Sequence, residues 1–233
     1  GDHPSPVAVS PTGATHDPGH PALDFDLTPE RIEAIVARGN VTRAKDNLDA
    51  IDLITKLKAE DRYATAAEQE VLAKYVGWGA SDIAPFLESY PRQSWSKNER
   101  AIWERIRALS EAERAAMGKS RLNAHFTFDL YRPIWEALVR AGFNGGRVLE
   151  PAVGTGHAFG LMPPDVRVAS TLSASELEPL TAAIAGYLYP SATVQAVGYE
   201  KAMIARGTQD LVISNVPFGD YGVDDALLPK EVT

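Results

Sequence analysis

Apolar residues recur at helical spacing through the first half of the chain, and helix start signals precede them. Thr28 followed by Pro29 is typical of a helix N-terminus, and Thr65 with Glu68 forms a capping box. The pattern predicts helices over residues 29–38, 42–60, 65–75, 81–89, 97–109, 111–117 and 128–142. In the last of these helices, the residues expected to face inward are Leu130, Ile134, Trp135, Leu138 and Val139.

Short apolar runs alternate with helical segments in the second half of the chain. Val148 and Leu149 form the centre of one such run, which leads into a glycine-rich turn that opens a helix. Further strands are predicted at about residues 168–175, 193–196 and 210–214, and a helix at 179–188. The chain is therefore predicted to be an α/β protein with an open sheet of about four parallel strands, preceded by a helical region.

The composition divides the chain into three regions. Residues 1–26 are rich in Pro, Gly, His, Ser and Thr, and we predict a linker or disordered segment there. Residues 27–120 are predicted to form a helical region, and residues 121–233 the core that contains the sheet. The strand that ends at Ser214 would expose one edge of this sheet unless a continuation of the chain or a partner chain covers it.

Charge and residue content exclude several classes of protein. No apolar run approaches the roughly 18 residues of a membrane span, and the first residues carry no signal-peptide pattern, so we predict a cytoplasmic location. The chain has no cysteine, and His3, His16 and His20 lack the spacing of metal ligands, so no metal site is predicted. A net charge of −8 is unfavourable for gripping duplex nucleic acid, whose protein partners usually present a basic face.

A glycine-rich turn follows the strand at Val148 and Leu149, with Gly154 and Gly156 able to turn the backbone sharply and admit a ligand. Phe159 stands where a dinucleotide motif needs its third glycine, and no P-loop lysine is present. Glu150, just before the turn, would repel a phosphate. A cationic ligand without phosphate, such as S-adenosylmethionine, fits this pattern better; the alternative is a tight turn that binds nothing.

A second motif, Asn215-Val216-Pro217-Phe218, follows the apolar run at residues 210–214. Together with the segment from Leu149 to Gly156, it resembles the catalytic and cofactor motifs of DNA methyltransferases that methylate adenine N6. The Asn-Val-Pro-Phe form, with further similarity at residues 75–79 and 123–127, resembles the methylase portion of phage- and plasmid-borne methylase–helicase proteins. The resemblance covers roughly residues 60–222.

The resemblance implies a role for each residue of the second motif. The Asn215 side-chain oxygen and the backbone carbonyl of Val216 would accept hydrogen bonds from the adenine amine, Pro217 would stiffen the turn, and Phe218 would stack on a flipped-out base. Val216 departs from the proline usual at its position, although a carbonyl does not depend on its side chain. The alternative is a strand-end turn composed of ordinary turn residues.

The resemblance also implies a set of cofactor contacts. Phe126 and Thr127 would contact the methionine end of S-adenosylmethionine, although Thr127 is also a plausible helix N-cap. Glu176, at the end of the second strand, would hold the ribose hydroxyls, and Leu177 would flank the adenine ring. The residues of the cofactor loop itself would be Glu150, Pro151, Ala152, Gly154 and Gly156.

The function implied is methyl transfer from S-adenosylmethionine to adenine N6 in DNA, within a larger methylase–helicase or a phage or plasmid defence or anti-restriction protein of a bacterial host. The core would then be a partial Rossmann-like class I methyltransferase fold, truncated on its C-terminal side, and the grip on DNA would come from additional domains or partner chains. Because cytosine-C5 methyltransferases attack with a cysteine thiolate, that class is excluded. Two alternatives remain: methylation of a glutamine amide or an RNA guanine amine, and a non-catalytic structural fragment.

Overall fold

The computed structural model describes residues 23–119 and 128–215. The first of these segments is helical, and its helices are α1 (Pro29–Val36), α2 (Asn40–Glu60), α3 (Ala66–Leu72), α4 (Lys97–Ala108) and α5 (Glu111–Lys119). Thr28 caps α1 as predicted, and Thr65 with Glu68 forms the predicted capping box at α3. A second capping box, formed by Ser96 and Glu99, begins α4. No helix among the described residues is long and apolar enough to cross a membrane.

The helix predicted at residues 81–89 is instead a single 3₁₀ turn at Ala84–Leu87, with turns and bends on either side. Pro85 lies at the start of this turn and lacks the amide that a longer helix needs, and it restricts the residue before it. Apolar spacing alone therefore overstated the helix, although Ile83 and Phe86 are both buried as a helical pattern requires.

The second described segment alternates helices and strands. The helices are α6 (Phe128–Arg140), α7 (His157–Gly160), α8 (Pro164–Val168) and α9 (Pro179–Leu188), and the strands are β1 (Arg147–Glu150), β2 (Thr171–Ser175), β3 (Thr193–Gln195) and β4 (Leu211–Val212). The strand predicted from residue 168 begins only at Thr171, because Pro164 occupies the first turn of a helix that continues to Val168.

The four strands form one parallel sheet in the order β3-β2-β1-β4. On one side of β1 lie β2 and then β3, in chain order, and β4 lies on the other side of β1. Val148 of β1 pairs with Leu172 of β2 and with Leu211 of β4. The gap between β1 and β4 is therefore a topological switch point, the place where open α/β sheets bind ligands beyond the carboxyl ends of their strands.

The predicted boundary of the N-terminal linker at Asp26 differs from the structure. Phe25 and Leu27 are buried, and their amides donate to the carbonyls of Leu188 and Gly160 at 2.8 and 2.9 Å. The chain from Leu23 to Leu27 therefore lies against α9 and α7 as part of the fold; residues 1–22 lie outside the described residues.

The helical region and the sheet share one apolar core. Both α2 and α3 pack on α9, and the Gln69 side chain of α3 donates to the carbonyls of Leu23 and Tyr187 at 2.8 and 3.1 Å. Buried Asn47 of α2 donates to the Gly77 carbonyl at 2.7 Å and accepts from the Val76 amide at 2.9 Å. The described parts of the predicted helical region and of the predicted core are therefore packed together.

Candidate ligand site at the switch point

Two sequence motifs meet at the carboxyl edge of the sheet. Glu150 is the last residue of β1, and Asn215 follows β4 by three residues. Because β1 and β4 are parallel neighbours, the two strands end at the same edge of the sheet, where open α/β sheets have their ligand crevice. The prediction that the glycine motif and the Asn215 motif follow adjacent parallel strands is confirmed.

Glu150 is a buried acid that has no cationic partner among residues 23–119 and 128–215. Its side chain is fully buried, and its carboxylate oxygens accept from the Tyr131 hydroxyl at 3.1 Å and from the Ala152 amide at 3.2 Å. Burial raises the pKa of Glu150 to about 7, although the hydroxyl of Ser214 and these two donors act in the opposite direction. The nearby charge of Glu176 contributes to the rise.

Ser214, directly before Asn215, places its hydroxyl close to the Glu150 carboxyl. This hydroxyl lowers the pKa of Glu150, yet its oxygen is buried and completes no hydrogen bond of regular geometry with any described residue. The Thr155 hydroxyl in the glycine-rich turn is likewise buried, and it has no hydrogen-bond partner in the part of the chain that the structure describes. Each such oxygen carries a desolvation cost that a bound polar ligand would relieve.

The glycine-rich turn is held between β1 and β2 by backbone and side-chain bonds. The Val153 amide donates to the Ser175 carbonyl at 3.0 Å, and the Ser175 hydroxyl donates to the Pro151 carbonyl at 2.7 Å. Gly154 and Gly156 both have positive φ, at 56° and 87°. Both therefore adopt the left-handed conformation that favours glycine.

Gly156 is needed for packing as well as for backbone conformation. A Cβ placed on Gly156 would lie 2.2 Å from the Tyr189 ring, and one on Gly160 would lie 2.3 Å from the Tyr189 hydroxyl. The sequence suggested that a ligand approaches the Cα of Gly156. The space beside this Cα is instead filled by the Tyr189 ring.

Glu176 closes the other side of the turn. Its carboxylate accepts from the Gly154 amide and from the Glu178 amide, both at 2.9 Å. Burial raises the pKa of Glu176, against the lowering effect of these amides. Among the described residues, neither Glu176 nor Glu150 forms an ion pair, so two acids flank the turn without a counter-charge. Leu177 beside them is 73% exposed.

Tyr131 is the site residue that sequence reasoning missed. Of the five residues predicted to face inward on α6, Trp135 is buried and both Ile134 and Leu138 are half-buried against the core, whereas Leu130 and Val139 are exposed. Phe128 and Tyr131, which the prediction did not include, are buried. Phe128, Tyr131 and Trp135 recur at helical spacing, and this spacing indicates the buried face of α6. The prediction gave more weight to aliphatic residues and therefore placed the buried face at a different angle around the helix.

The remaining predicted site residues divide into two groups. Pro151 and Ala152 lie half-buried in the turn after β1, and the Ala152 amide contributes to Glu150 as described above. Phe126, Thr127, Val216, Pro217 and Phe218 lie outside the described residues, as does the similarity at residues 123–125.

The arginines of the helical region are used within the protein. Arg105 pairs with Asp49 at 2.9 Å and with Asp52 at 2.6 Å. Arg107 donates to the Leu87 and Glu88 carbonyls, both at 2.7 Å, and Arg100 donates to the Gln93 carbonyl at 3.1 Å. These side chains neutralise carboxylates or cap the carbonyls of loops, and they form no free stripe for phosphates.

The part of the chain that the structure describes contains no cluster of three or more His, Cys, Asp or Glu residues able to hold a metal ion. Comparison of the chain with protein-family models, with curated proteins and with solved structures gives no match in any of the three.

Proposed function

We propose that this protein binds S-adenosylmethionine at the switch point and transfers its methyl group to the N6 amine of adenine in DNA. The single observation that carries the proposal is the meeting of two strand ends, one bearing buried Glu150 and the other leading to Asn215. The sequence motifs that resemble a cofactor loop and a catalytic loop thereby border one crevice.

The charge of the crevice supports a cationic ligand. Among the described residues, Glu150 and Glu176 are held by neutral donors, which leave their negative charge uncompensated when both are ionised. A buried carboxylate is costly unless a cation or several donors accompany it. S-adenosylmethionine carries an ammonium and a sulfonium, and its ribose hydroxyls can donate to an acid at the end of β2.

The strand order supports a Rossmann-like core. The order 3-2-1-4 is that of the first four strands of the doubly wound dinucleotide-binding sheet, in which the ligand lies over the β1 end. A glycine turn between β1 and the next helix and an acid at the end of β2 occupy corresponding places here. No phosphate-binding motif accompanies them, in keeping with a ligand that has none.

In the proposed reaction, the role of this chain is to position the adenine amine in line with the methyl group. Bound S-adenosylmethionine would supply an electrophilic methyl group. The Asn215 side-chain oxygen and the Val216 carbonyl would accept hydrogen bonds from the two amine protons, directing the nitrogen lone pair along the line of transfer. The adenine must leave the base stack to reach this position, and Phe218 would stack on it.

The charge distribution of the protein favours an alternative substrate to DNA. A net charge of −8 and the internal use of Arg100, Arg105 and Arg107 leave little to grip DNA phosphates. Under the leading proposal, additional domains or partner chains hold the DNA, as in a methylase–helicase of a phage or plasmid acting in a bacterial cytoplasm. The competing proposal keeps the cofactor and replaces the adenine by a glutamine amide, which presents a similar planar amino group.

Two measurements test this proposal. Calorimetry with S-adenosylmethionine and with its neutral thioether product should show binding that is tighter for the sulfonium; absence of binding to either would overturn the cofactor assignment. Transfer of a labelled methyl group onto plasmid DNA or onto release-factor protein then identifies the substrate.

The Asn215→Ala variant separates catalysis from binding. We expect it to abolish methyl transfer and to leave the S-adenosylmethionine affinity within about twofold, because the lost amide would contact the substrate amine in the transition state. Asn144→Ala is the matched control, since Asn144 is an exposed asparagine before β1. Loss of cofactor binding in Asn215→Ala would count against the role given to Asn215.

A further inference from the structure

Residues 23–27, here called the N-terminal strap, are bonded to three helices although they lie outside the helices and strands themselves. The Phe25 and Leu27 amides donate to α9 and α7 as described above, and the Leu23 carbonyl accepts from Gln69 of α3 at 2.8 Å. Phe25 and Leu27 are both buried, so the strap is part of the core.

Arg167 of α8 joins the strap to α7. It is 8% exposed, and its guanidinium pairs with Asp26 and lies 3.6 Å from the Asp24 carboxylate. Its Nη1 donates to the Phe159 carbonyl of α7 at 3.2 Å. A buried guanidinium is costly unless it is paired and hydrogen-bonded, because its charge has left water. The two acids of the strap and the α7 carbonyl therefore hold Arg167 together, and Arg167 holds them.

The Leu27 side chain packs on the helix that the glycine-rich turn opens. A Cβ placed on Gly160 would lie 2.7 Å from Leu27 Cδ1 and 2.3 Å from the Tyr189 hydroxyl, so both side chains lie directly against Gly160. The Tyr189 ring also meets the Phe159 ring edge-on, with centroids 5.9 Å apart, and fills the space beside Gly156. The packing is thus continuous from the strap to Gly156, at the end of the glycine-rich turn.

The helix α7 depends on such contacts for its conformation, because it is only four residues long. A helix of one turn is not stable in water without tertiary packing. The Trp135 indole of α6 donates to one of its carbonyls at 2.7 Å, and the Leu27 amide donates to the Gly160 carbonyl at 2.9 Å. The start of the turn is bonded to the sheet through Val153, whereas Gly156 is the residue from which α7 begins. The end of the turn therefore depends on what supports α7.

We propose that the strap, held by Arg167, is a positioning element that fixes α7 and keeps the end of the glycine-rich turn in its ligand-binding conformation. Docking of the strap and binding of the ligand then favour each other, because both stabilise the same conformation of the turn. The ligand is the methyl donor of the proposed function, so this second statement rests on that function. The support that the strap gives to the turn does not.

The test compares Arg167→Met with Arg38→Met. Arg38 is a matched control, because it is also a largely buried arginine that pairs with a carboxylate, that of Asp46. It donates in addition to the carbonyls of Ile35 and Lys74, at 2.9 and 3.1 Å. All of these partners of Arg38 belong to the helical region, so the control removes a similar set of contacts that does not involve the strap or α7.

NMR hydrogen exchange in the ligand-free protein measures the Gly156 and Gly160 amides, with the Ile213 amide, which is bonded to β1, as the reference in the sheet. We expect Arg167→Met to speed exchange of the two glycine amides by about fivefold or more, as the loss of a buried charged hydrogen bond implies, and to leave the Ile213 amide as in the wild type. Arg38→Met should leave the glycine amides unchanged relative to Ile213. Unchanged glycine amides in Arg167→Met, or equal acceleration at all three amides, would overturn the proposal.

The ligand provides a separate readout. Saturation with S-adenosylmethionine should slow exchange of the Phe25 and Leu27 amides, because coupling between two sites is reciprocal. Arg167→Met should weaken the affinity for S-adenosylmethionine about fivefold, while Arg38→Met leaves it within about twofold. Ligand binding that leaves both strap amides unchanged would refute the coupling. If S-adenosylmethionine does not bind, the proposed function fails, and exchange of the glycine amides still decides whether the strap supports the turn.

Asp26→Asn is the second variant, for the case in which Arg167→Met does not fold. It removes one of the two anions beside the buried guanidinium and keeps the shape of a side chain that is 45% exposed. Asp46→Asn, in the Arg38 pair, is its control. We expect Asp26→Asn to speed exchange of the Gly160 amide at least about twofold, with no change in the control. An unchanged Gly160 amide in Asp26→Asn would refute the role of the strap.

Discussion

Asp210 accepts three hydrogen bonds from Arg147, at 2.8 Å from the backbone amide, 3.0 Å from Nε and 2.9 Å from Nη2. The pair joins the start of β1 to the residue before β4 at the amino edge of the sheet. It lies at the opposite end of these strands from Glu150 and Asn215. The register that brings the two motifs together is therefore reinforced by an ion pair far from the crevice.

The first prediction concerns this ion pair. The Arg147 guanidinium and amide lower the pKa of Asp210 to about 2, so its stabilising contribution is present above the unfolded pKa of 3.8 and is lost as the pH falls through about 2. Arg147→Met should raise the Asp210 pKa toward its ordinary value. Carboxyl NMR titration measures this shift.

Arg140→Met provides the control for that titration, because Arg140 is an exposed arginine at the end of α6. It should leave the Asp210 pKa unchanged. An Asp210 pKa that stays near 2 in Arg147→Met would contradict the assigned pairing.

The second prediction concerns Glu150 and pH. Burial raises its pKa from 4.5 to about 7, so the neutral acid stabilises the fold fully below pH 4.5, and this contribution is lost as the pH rises through about 7. Glu150→Gln, which stays neutral, should remove this pH dependence and be more stable than the wild type at pH 8, by at most about 3 kcal/mol. Urea unfolding at pH 5 and pH 8 measures the difference.

An exposed glutamate serves as the comparison. Glu136→Gln on α6 should leave the pH dependence of unfolding as it is in the wild type, because Glu136 is exposed. If Glu150→Gln also leaves it unchanged, Glu150 does not titrate near neutral pH.

The third prediction concerns the two reasons why position 156 requires glycine, which are its positive φ and its close contact with the Tyr189 ring. Gly156→Ala would place a Cβ 2.2 Å from the Tyr189 ring at a φ of 87°, whereas Gly142→Ala adds only strain, at a φ of 97° with nothing within 4 Å. We expect Gly142→Ala to cost about 1–2 kcal/mol in unfolding free energy and Gly156→Ala to cost clearly more. Equal costs would mean that Tyr189 moves aside freely.

The fourth prediction concerns the buried hydroxyl of Thr155. Thr155→Val should stabilise the ligand-free protein by about 1 kcal/mol, because it removes a buried oxygen that no described residue contacts by a hydrogen bond. Thr181→Val should do the reverse, since the Thr181 hydroxyl donates to Glu178 at 2.6 Å. Urea unfolding of the two variants makes the comparison.

The same Thr155 variant also reports on the ligand site. If its hydroxyl contacts the ligand, Thr155→Val gains stability and loses S-adenosylmethionine affinity together. Gain of stability with unchanged affinity would place Thr155 outside the ligand contacts.

Local patterns predicted much of the fold. The capping residue Thr28, the capping box at Thr65, the helix from Pro179 to Leu188 and the four strands in chain order are all present. These features depend on neighbours within a few residues, where propensity and periodicity act directly. The adjacency of β1 and β4 was predicted because the glycine motif and the Asn215 motif were both assigned to the same edge of the sheet.

The features that sequence reasoning missed depend on distant partners. Tyr189, at the far end of α9, explains why position 156 is a glycine, and Leu188 accepts the hydrogen bond that holds Phe25 in a segment with the composition of a linker. The buried face of α6 depends on the elements that pack against it, and for this reason two of its five predicted inward residues, Leu130 and Val139, are exposed. The periodicity of apolar residues within a short segment does not show which distant residues will contact that segment.

The hydrogen bond from Gln69 of α3 to the Tyr187 carbonyl of α9, together with the packing of α2 and α3 on α9, has a practical consequence for dividing the protein into fragments. Expressing the sheet without α2 and α3 would expose the apolar surface of α9 that these helices cover, so we expect this piece to aggregate. Two halves produced together in one cell should instead bury this surface against each other, so the protein is suited to fragment complementation by co-expression.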